Sequence, residues 1–325
     1  VQAVAWFPGS VPSSRKLPAA TAAVALVLGA VAACTDAPAD VGATPSVGKS
    51  TPSTPTPAAP ADGELPRGGR TIFPKYQLVG YVGFPGSAAL GPLDKDLDTK
   101  AARLETLAKS YAYGRTPQPV MELIVVIAKE KPGRDRMYRG WLEDDKIQEY
   151  LDVARKHRAL LLLDVQPGRA DIVTEVRRLE KWLDEPDVGL AFDPEWAVGP
   201  NQVPGRVFGH TSGAELDEIA SYLSGLVKQH DLPEKLFVFH QLSTRIISQE
   251  KALRQHPGVV MIKSVDGIGH RKNKESTWTK LTTTMAPDVH AGFKVFYKED
   301  ARHGPLMTPQ QVMSLKPRPE FVVYE

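Results

Sequence analysis

Residues 159–196 read ALLLLDVQPGRADIVTEVRRLEKWLDEPDVGLAFDPEW. An apolar run, 159–165, gives way to an amphipathic segment, 170–183, and then to a second apolar run, 188–193. Apolar runs of this length without polar alternation suit strands buried on both faces, and strands joined through a helix run parallel. The same alternation recurs on either side. Segments 77–83, 121–128, 236–240, 259–265, 293–297 and 321–324 read as further strands. Segments 97–112, 144–157, 214–229, 248–256, 274–284 and 309–315 read as helices, with apolar residues at three and four spacing as in Ile147, Tyr150, Leu151 and Ala154. Eight strands alternating with helices predict one α/β domain over residues 70–325, a (β/α)8 TIM barrel, with an open doubly wound sheet as the alternative.

The segments before it differ in kind. Arg15 and Lys16 precede an apolar run, 21–31, and then Ala32-Ala33-Cys34. A basic stretch, a short apolar stretch and small residues describe a signal peptide over residues 1–33. Residues 34–69 are rich in Pro, Ala, Thr and Ser and contain no aromatic residue, which predicts a disordered tether. VAAC resembles the lipobox of bacterial lipoproteins, and the chain as a whole resembles the secreted lipoproteins of high-GC Gram-positive bacteria. That resemblance implies lipidation of Cys34 and an extracytoplasmic domain anchored to the cell membrane.

Composition narrows the function. The 325-residue chain is 42% hydrophobic and 24% charged, with a formal net charge of +2. No basic block or basic and aromatic interleaving occurs, so nucleic acid is not an expected partner. No dinucleotide or Walker spacing, HExxH helix or GxSxG elbow is present, and neither an organic cofactor nor a metal is expected.

In a barrel the chemistry lies where the strands end. Polar residues gather there: the first strand ends around Tyr81, the third around Asp164 and Gln166, and the fourth in Asp193-Pro194-Glu195-Trp196. His240 and Gln241 end the fifth strand, Asp266 the sixth, and Tyr297 and Glu299 the seventh. On an extended segment Asp193 and Glu195 share a face, with α-carbons about 6 to 7 Å apart. Two carboxylates so close disfavour joint ionisation, which raises one pKa and equips its owner to donate a proton. Glu122, read as the start of the second strand, lies at the wrong end for this chemistry.

An Asp-x-Glu closing the fourth strand resembles the signature of family 18 chitinases, in which the glutamate protonates the leaving oxygen and the aspartate orients a substrate acetamido group. Asp193 and Glu195 match its last two acids, while Leu190 stands where that pattern has another. The expectation is therefore a glycoside hydrolase-like barrel acting on an extracellular or cell-wall carbohydrate. Glu195 is the candidate acid, Asp193 its neighbour, and Asp266 or Glu299 the second carboxylate. Asp164, Gln166, His240 and Gln241 would contact substrate, and Trp196, Tyr81 and Tyr297 would offer flat faces to sugar rings. Two alternatives stand beside it. One is a non-catalytic glycan-binding lipoprotein whose rim acids pair with Arg169, Lys263 or Lys298. The other is a metal-dependent hydrolase using Asp164, Asp193, His240 and Asp266.

Overall fold

The structure, a computed structural model, describes residues 63–325. The signal peptide, Cys34 and the tether up to residue 62 lie outside the described residues. Gly63 to Gly69, assigned to the tether by composition, belong to the folded part: Leu65 is buried in the barrel interior with Ile72 and Tyr76. The one apolar side chain with somewhere to go decides the boundary there.

Eight parallel strands close on themselves. They are β1 (Tyr76–Gly83), β2 (Thr116–Ala128), β3 (Leu160–Val165), β4 (Val188–Phe192), β5 (Lys235–Gln241), β6 (Val259–Val265), β7 (His290–Val295) and β8 (Phe321–Tyr324). Each pairs with the next, and β1 pairs with both β2 and β8 to complete the barrel. Helices α1 (Leu97–Lys109), α2 (Asp144–Lys156), α3 (Ile172–Arg177), α4 (Glu180–Leu183), α5 (Gly213–Gln229), α6 (Arg271–Thr282) and α7 (Pro309–Met313) connect the strands. This is a (β/α)8 barrel. Among the described residues no helix is long and apolar enough to cross a membrane.

Side-chain alternation divides the core in two. Leu78, Val82, Val120, Ile124, Leu162, Ala191, Val238, Ile262 and Val323 fill the barrel, while Val79, Leu123, Leu163, Phe192, Phe237 and Val322 face the helices. The upper interior is different: there the inward positions are charged.

Some boundaries depart from the periodicity. β2 begins at Thr116 rather than at Met121, because Pro117 and Pro119 sit at the start of a strand that their missing donors do not disrupt. A bulge between Ile124 and Val126 then shifts the register beside the rim. The helix expected over 170–183 is two, α3 and α4, with the Asp171 carboxylate capping the first at Thr174 N. The helix expected over 248–256 is only a 3₁₀ turn, Glu250–Ala252, which buries Glu250 against the Lys263 ammonium at 2.6 Å.

Candidate active site

Four strands each contribute one inward charge to an otherwise apolar run: Glu122 from β2, Asp164 from β3, His240 from β5 and Lys294 from β7. Asp193, Glu195 and Asp266 follow β4 and β6, and Glu325 follows β8. Glu122, Asp164, Asp193, His240, Asp266 and Lys294 are all buried. Charges seldom sit in a core unpaired, and these are arranged around two cations.

The Lys294 ammonium lies 2.7 Å from Glu325 Oε2 and 3.2 Å from Asp266 Oδ2. His240 Nδ1 donates to Asp266 Oδ2 at 2.9 Å and stands 3.8 Å from Asp193 Oδ1, while its Nε2 lies 3.3 Å from Glu122 Oε1. Ser264 Oγ donates to the other Asp266 oxygen at 2.8 Å. Burial alone would raise the Asp266 pKa, but Lys294, His240 and Ser264 together hold it well below the usual carboxylate range. Burial likewise opposes charge on His240 and Lys294, and the surrounding carboxylates overcome it, carrying both well above their ordinary values. Asp266 is thus a fixed anion between two fixed cations.

Glu195 is its opposite. Pro194, with its preset φ, opens a 3₁₀ turn over Pro194–Trp196 immediately after Asp193, so Glu195 sits on a turn and not on an extended strand as the alternation suggested. Gly209 N donates to Glu195 O at 2.6 Å and draws the long loop back over the turn. A Cβ at Gly209 would collide with the Ala197 carbonyl, so only glycine permits this approach. The Glu195 side chain is half-buried, has no ion-pair partner among the described residues, and turns an unpartnered buried Oε2 into the cluster. Asp193, Glu195 and Asp266 each place a carboxylate oxygen within 4.8 Å of the others. Burial, then the charges of Asp193 and Asp266, push the Glu195 carboxyl up to about 8. Burial and Asp193 also raise Asp164 well above the usual carboxylate value.

The donor types would suit a cation in two places: Asp164, Asp193 and His240, or Asp193, Glu195 and Asp266, each set within 4.8 Å. The chain's own cations meet Asp266, while Asp164 Oδ1, Asp193 Oδ1 and Glu195 Oε2 have no hydrogen-bond partner among the described residues. His240 Nδ1 and the Lys294 ammonium both meet Asp266 Oδ2, and His240 Nε2 stands 3.3 Å from Glu122 Oε1 without a hydrogen bond.

Of the residues singled out in the sequence, Asp164, Asp193, Glu195, His240 and Asp266 meet in this cluster, and Gln166 Nε2 donates to Asp193 Oδ2 at 2.9 Å. Trp196 lies half-exposed in the same turn. Gln241, the strand neighbour of inward His240, donates to Ser243 O. Tyr81 and Tyr297 are elsewhere: alternation places Val82 inside and Tyr81 outside, where it packs edge-on to Tyr297 and Tyr324 in the outer core. Glu299 is buried in the loop after β7 and is not among the carboxylates within 4.8 Å of one another. The pairings expected of a binding module also fall elsewhere. Arg169 donates to Gln202 O and covers the Tyr138 ring, Lys263 holds Glu250, and Lys298 donates to Ala88 O.

Glu122 corrects the sequence reading: it lies mid-strand inside the barrel, because β2 starts five residues earlier than its apolar run. Lys294 was missed. Its signal was a lone charge within AGFKVF, a run buried on both faces, which requires a partner inside.

No family model matches the chain. No curated protein matches it either. Among solved structures it is similar to a hyperthermophilic endo-β-1,4-glucanase in complex with substrate, with 8% identity and a TM-score of 0.32 over 64% of this chain and 76% of that one.

Proposed function

We propose that this barrel hydrolyses a glycosidic bond by paired carboxylate catalysis. One observation carries the reading: two carboxyl groups with oxygens within 4.8 Å have environments that drive their ionisation in opposite directions, Glu195 up to about 8 and Asp266 far down. Such divergence assigns acid and anion roles near neutral pH. Glu195 donates its proton to the leaving oxygen as the bond to the anomeric carbon breaks. Asp266 attacks that carbon and forms a glycosyl ester. Water then displaces Asp266, giving up its proton to the Glu195 carboxylate and restoring the acid. Asp193, fixed by Gln166, orients substrate beside Glu195.

The short separation fits a retaining enzyme, for which carboxyl groups about 5 to 5.5 Å apart are usual. Incubating the full chain with a panel of polysaccharides, neutral and charged, and assaying new reducing ends tests the reading. Release is expected with at least one polymer, with the anomeric configuration of the product retained by NMR. No release from any, or inversion of configuration, would count against it.

Cys34, read from its resemblance to a lipobox, would hold the barrel at the outer face of the membrane. Fractionation of cells making Cys34→Ala tests this. The variant should leave the membrane fraction, and a variant that stays there contradicts the anchor.

A further inference from the structure

Part of the rim that surrounds the acidic interior is basic. The segments after β2, β5 and β7 (129–138, 242–258 and 296–308) carry exposed Lys129, Lys131, Arg134, Arg136, Arg245 and Arg302, none of which forms an ion pair among the described residues. The exposed acids of these segments, by contrast, are engaged. Asp135 accepts from Arg139 at 2.6 Å, and Glu130 lies 3.8 Å from Arg206. Glu250, Glu299 and Asp300 are buried.

The cation-rich segment 129–138 is pinned at the mouth rather than trailing from it. Lys129 N donates to Tyr138 O at 2.7 Å, and Arg169 N donates to Met137 O at 2.8 Å from the loop that also holds Gln166. The Arg169 guanidinium lies 4.0 Å over the Tyr138 ring. Arg136 and Tyr138 both have left-handed backbones, at φ 63° and 57°, a conformation unfavourable to side chains that these contacts sustain. Exposed Met137, Phe208 and Ile268 belong to loops of this same face.

We propose that the site takes an anionic glycan, a polymer whose sugars bear carboxylate or phosphate groups, with those groups on the basic rim and a neutral linkage in the carboxylate-lined interior. The inference rests on the hydrolase reading and names its substrate class. A nucleic acid fits less well: every linkage of its backbone is charged, so one would have to enter the interior among Asp164, Asp193 and Asp266. Unpaired cations around such a mouth also speed the arrival of a polyanion, at low salt above all.

The test uses full-length Glu195→Gln, which keeps the rim intact, with polygalacturonate, a phosphomannan, neutral dextran and a DNA duplex as probes. Either anionic glycan should bind at least tenfold tighter than dextran, with affinity falling as salt rises, and whichever binds tells carboxylate from phosphate. The variant Lys131→Glu/Arg134→Glu/Arg136→Glu should lose about tenfold in that affinity, and Arg245→Glu/Arg302→Glu should do so independently of whether the first variant folds. Equal binding of dextran, no loss in a folded variant, or equally tight binding of DNA would overturn the proposal. If an anionic glycan binds selectively but the wild-type chain releases no reducing ends from it, the hydrolase reading fails and the charge selectivity stands. If a neutral polymer is cleaved with salt-independent KM, the reverse holds.

Discussion

Glu195→Gln is expected to lower kcat by about 10²- to 10⁴-fold, the usual contribution of a positioned general acid. The substitution keeps the size and most of the hydrogen-bonding capacity of the side chain, so glycan affinity should stay near that of the wild type. What it removes is the proton. At neutral pH the wild-type carboxyl holds that proton because burial and the neighbouring charges of Asp193 and Asp266 push it up to about 8. The variant separates catalysis from recognition, since a binding module would keep its affinity and have no turnover to lose. Comparing kcat and Kd for the two proteins on the same polymer checks this. A kcat within a fewfold of wild type would remove Glu195 from the chemistry.

Lys294→Met should be the most destabilising single change near the site, at about 3–5 kcal/mol, because it leaves two carboxylates that shared one ammonium without it. The deficit should depend on pH, and its sign follows from Asp266. Its folded pKa is depressed below an unfolded value of about 3.9, so its contribution is present above that value and lost as pH falls through the folded one. The gap between variant and wild type should therefore be full at neutral pH and narrow in acid. Glu195 acts in the opposite sense: its raised pKa favours the folded state at low pH, and that share disappears as pH rises toward about 8. Urea unfolding of both proteins at neutral and acid pH measures the gap. A difference below about 1 kcal/mol at pH 7, or one that widens in acid, would mean that Lys294 does not neutralise the cluster.

The barrel was legible because its strands are continuous apolar runs. β6 and β8 have the expected limits, and the runs of β1, β3, β4 and β5 mark theirs to within a residue. Periodicity failed where a tertiary demand intervened. Glu250 turns inward to meet Lys263, so a helical pattern became a single 3₁₀ turn. Prolines at the start of β2 concealed five residues of strand, which put Glu122 at the wrong level. β7 begins at His290, three residues before the apolar core of its run, and its lysine was passed over.

The site was legible for a different reason: acids at strand ends collect on one rim in this fold, whatever the distances between strands. Asp193, Glu195, Asp164 and Asp266 could be named on that ground alone. Which way each side chain points depends on register, and register takes the whole sheet to fix. Tyr81 and Tyr297 were therefore placed on the rim although they pack outside. The basic mouth was hidden for a related reason. Its cations lie in three separate segments, so no basic block occurs in the sequence, and only closure of the barrel brings their loops to one face.

The central claim is that Glu195 keeps its proton beside an Asp266 that keeps its charge. Carbon-13 NMR titration of the side-chain carboxyls, with Glu195 assigned by its loss in Glu195→Gln, tests this without knowledge of the substrate. The account predicts a glutamate carboxyl titrating near pH 8 and an aspartate still ionised well below the usual carboxylate range. A Glu195 carboxyl that ionises near pH 4.3, as an ordinary glutamate does at about that value, would contradict it.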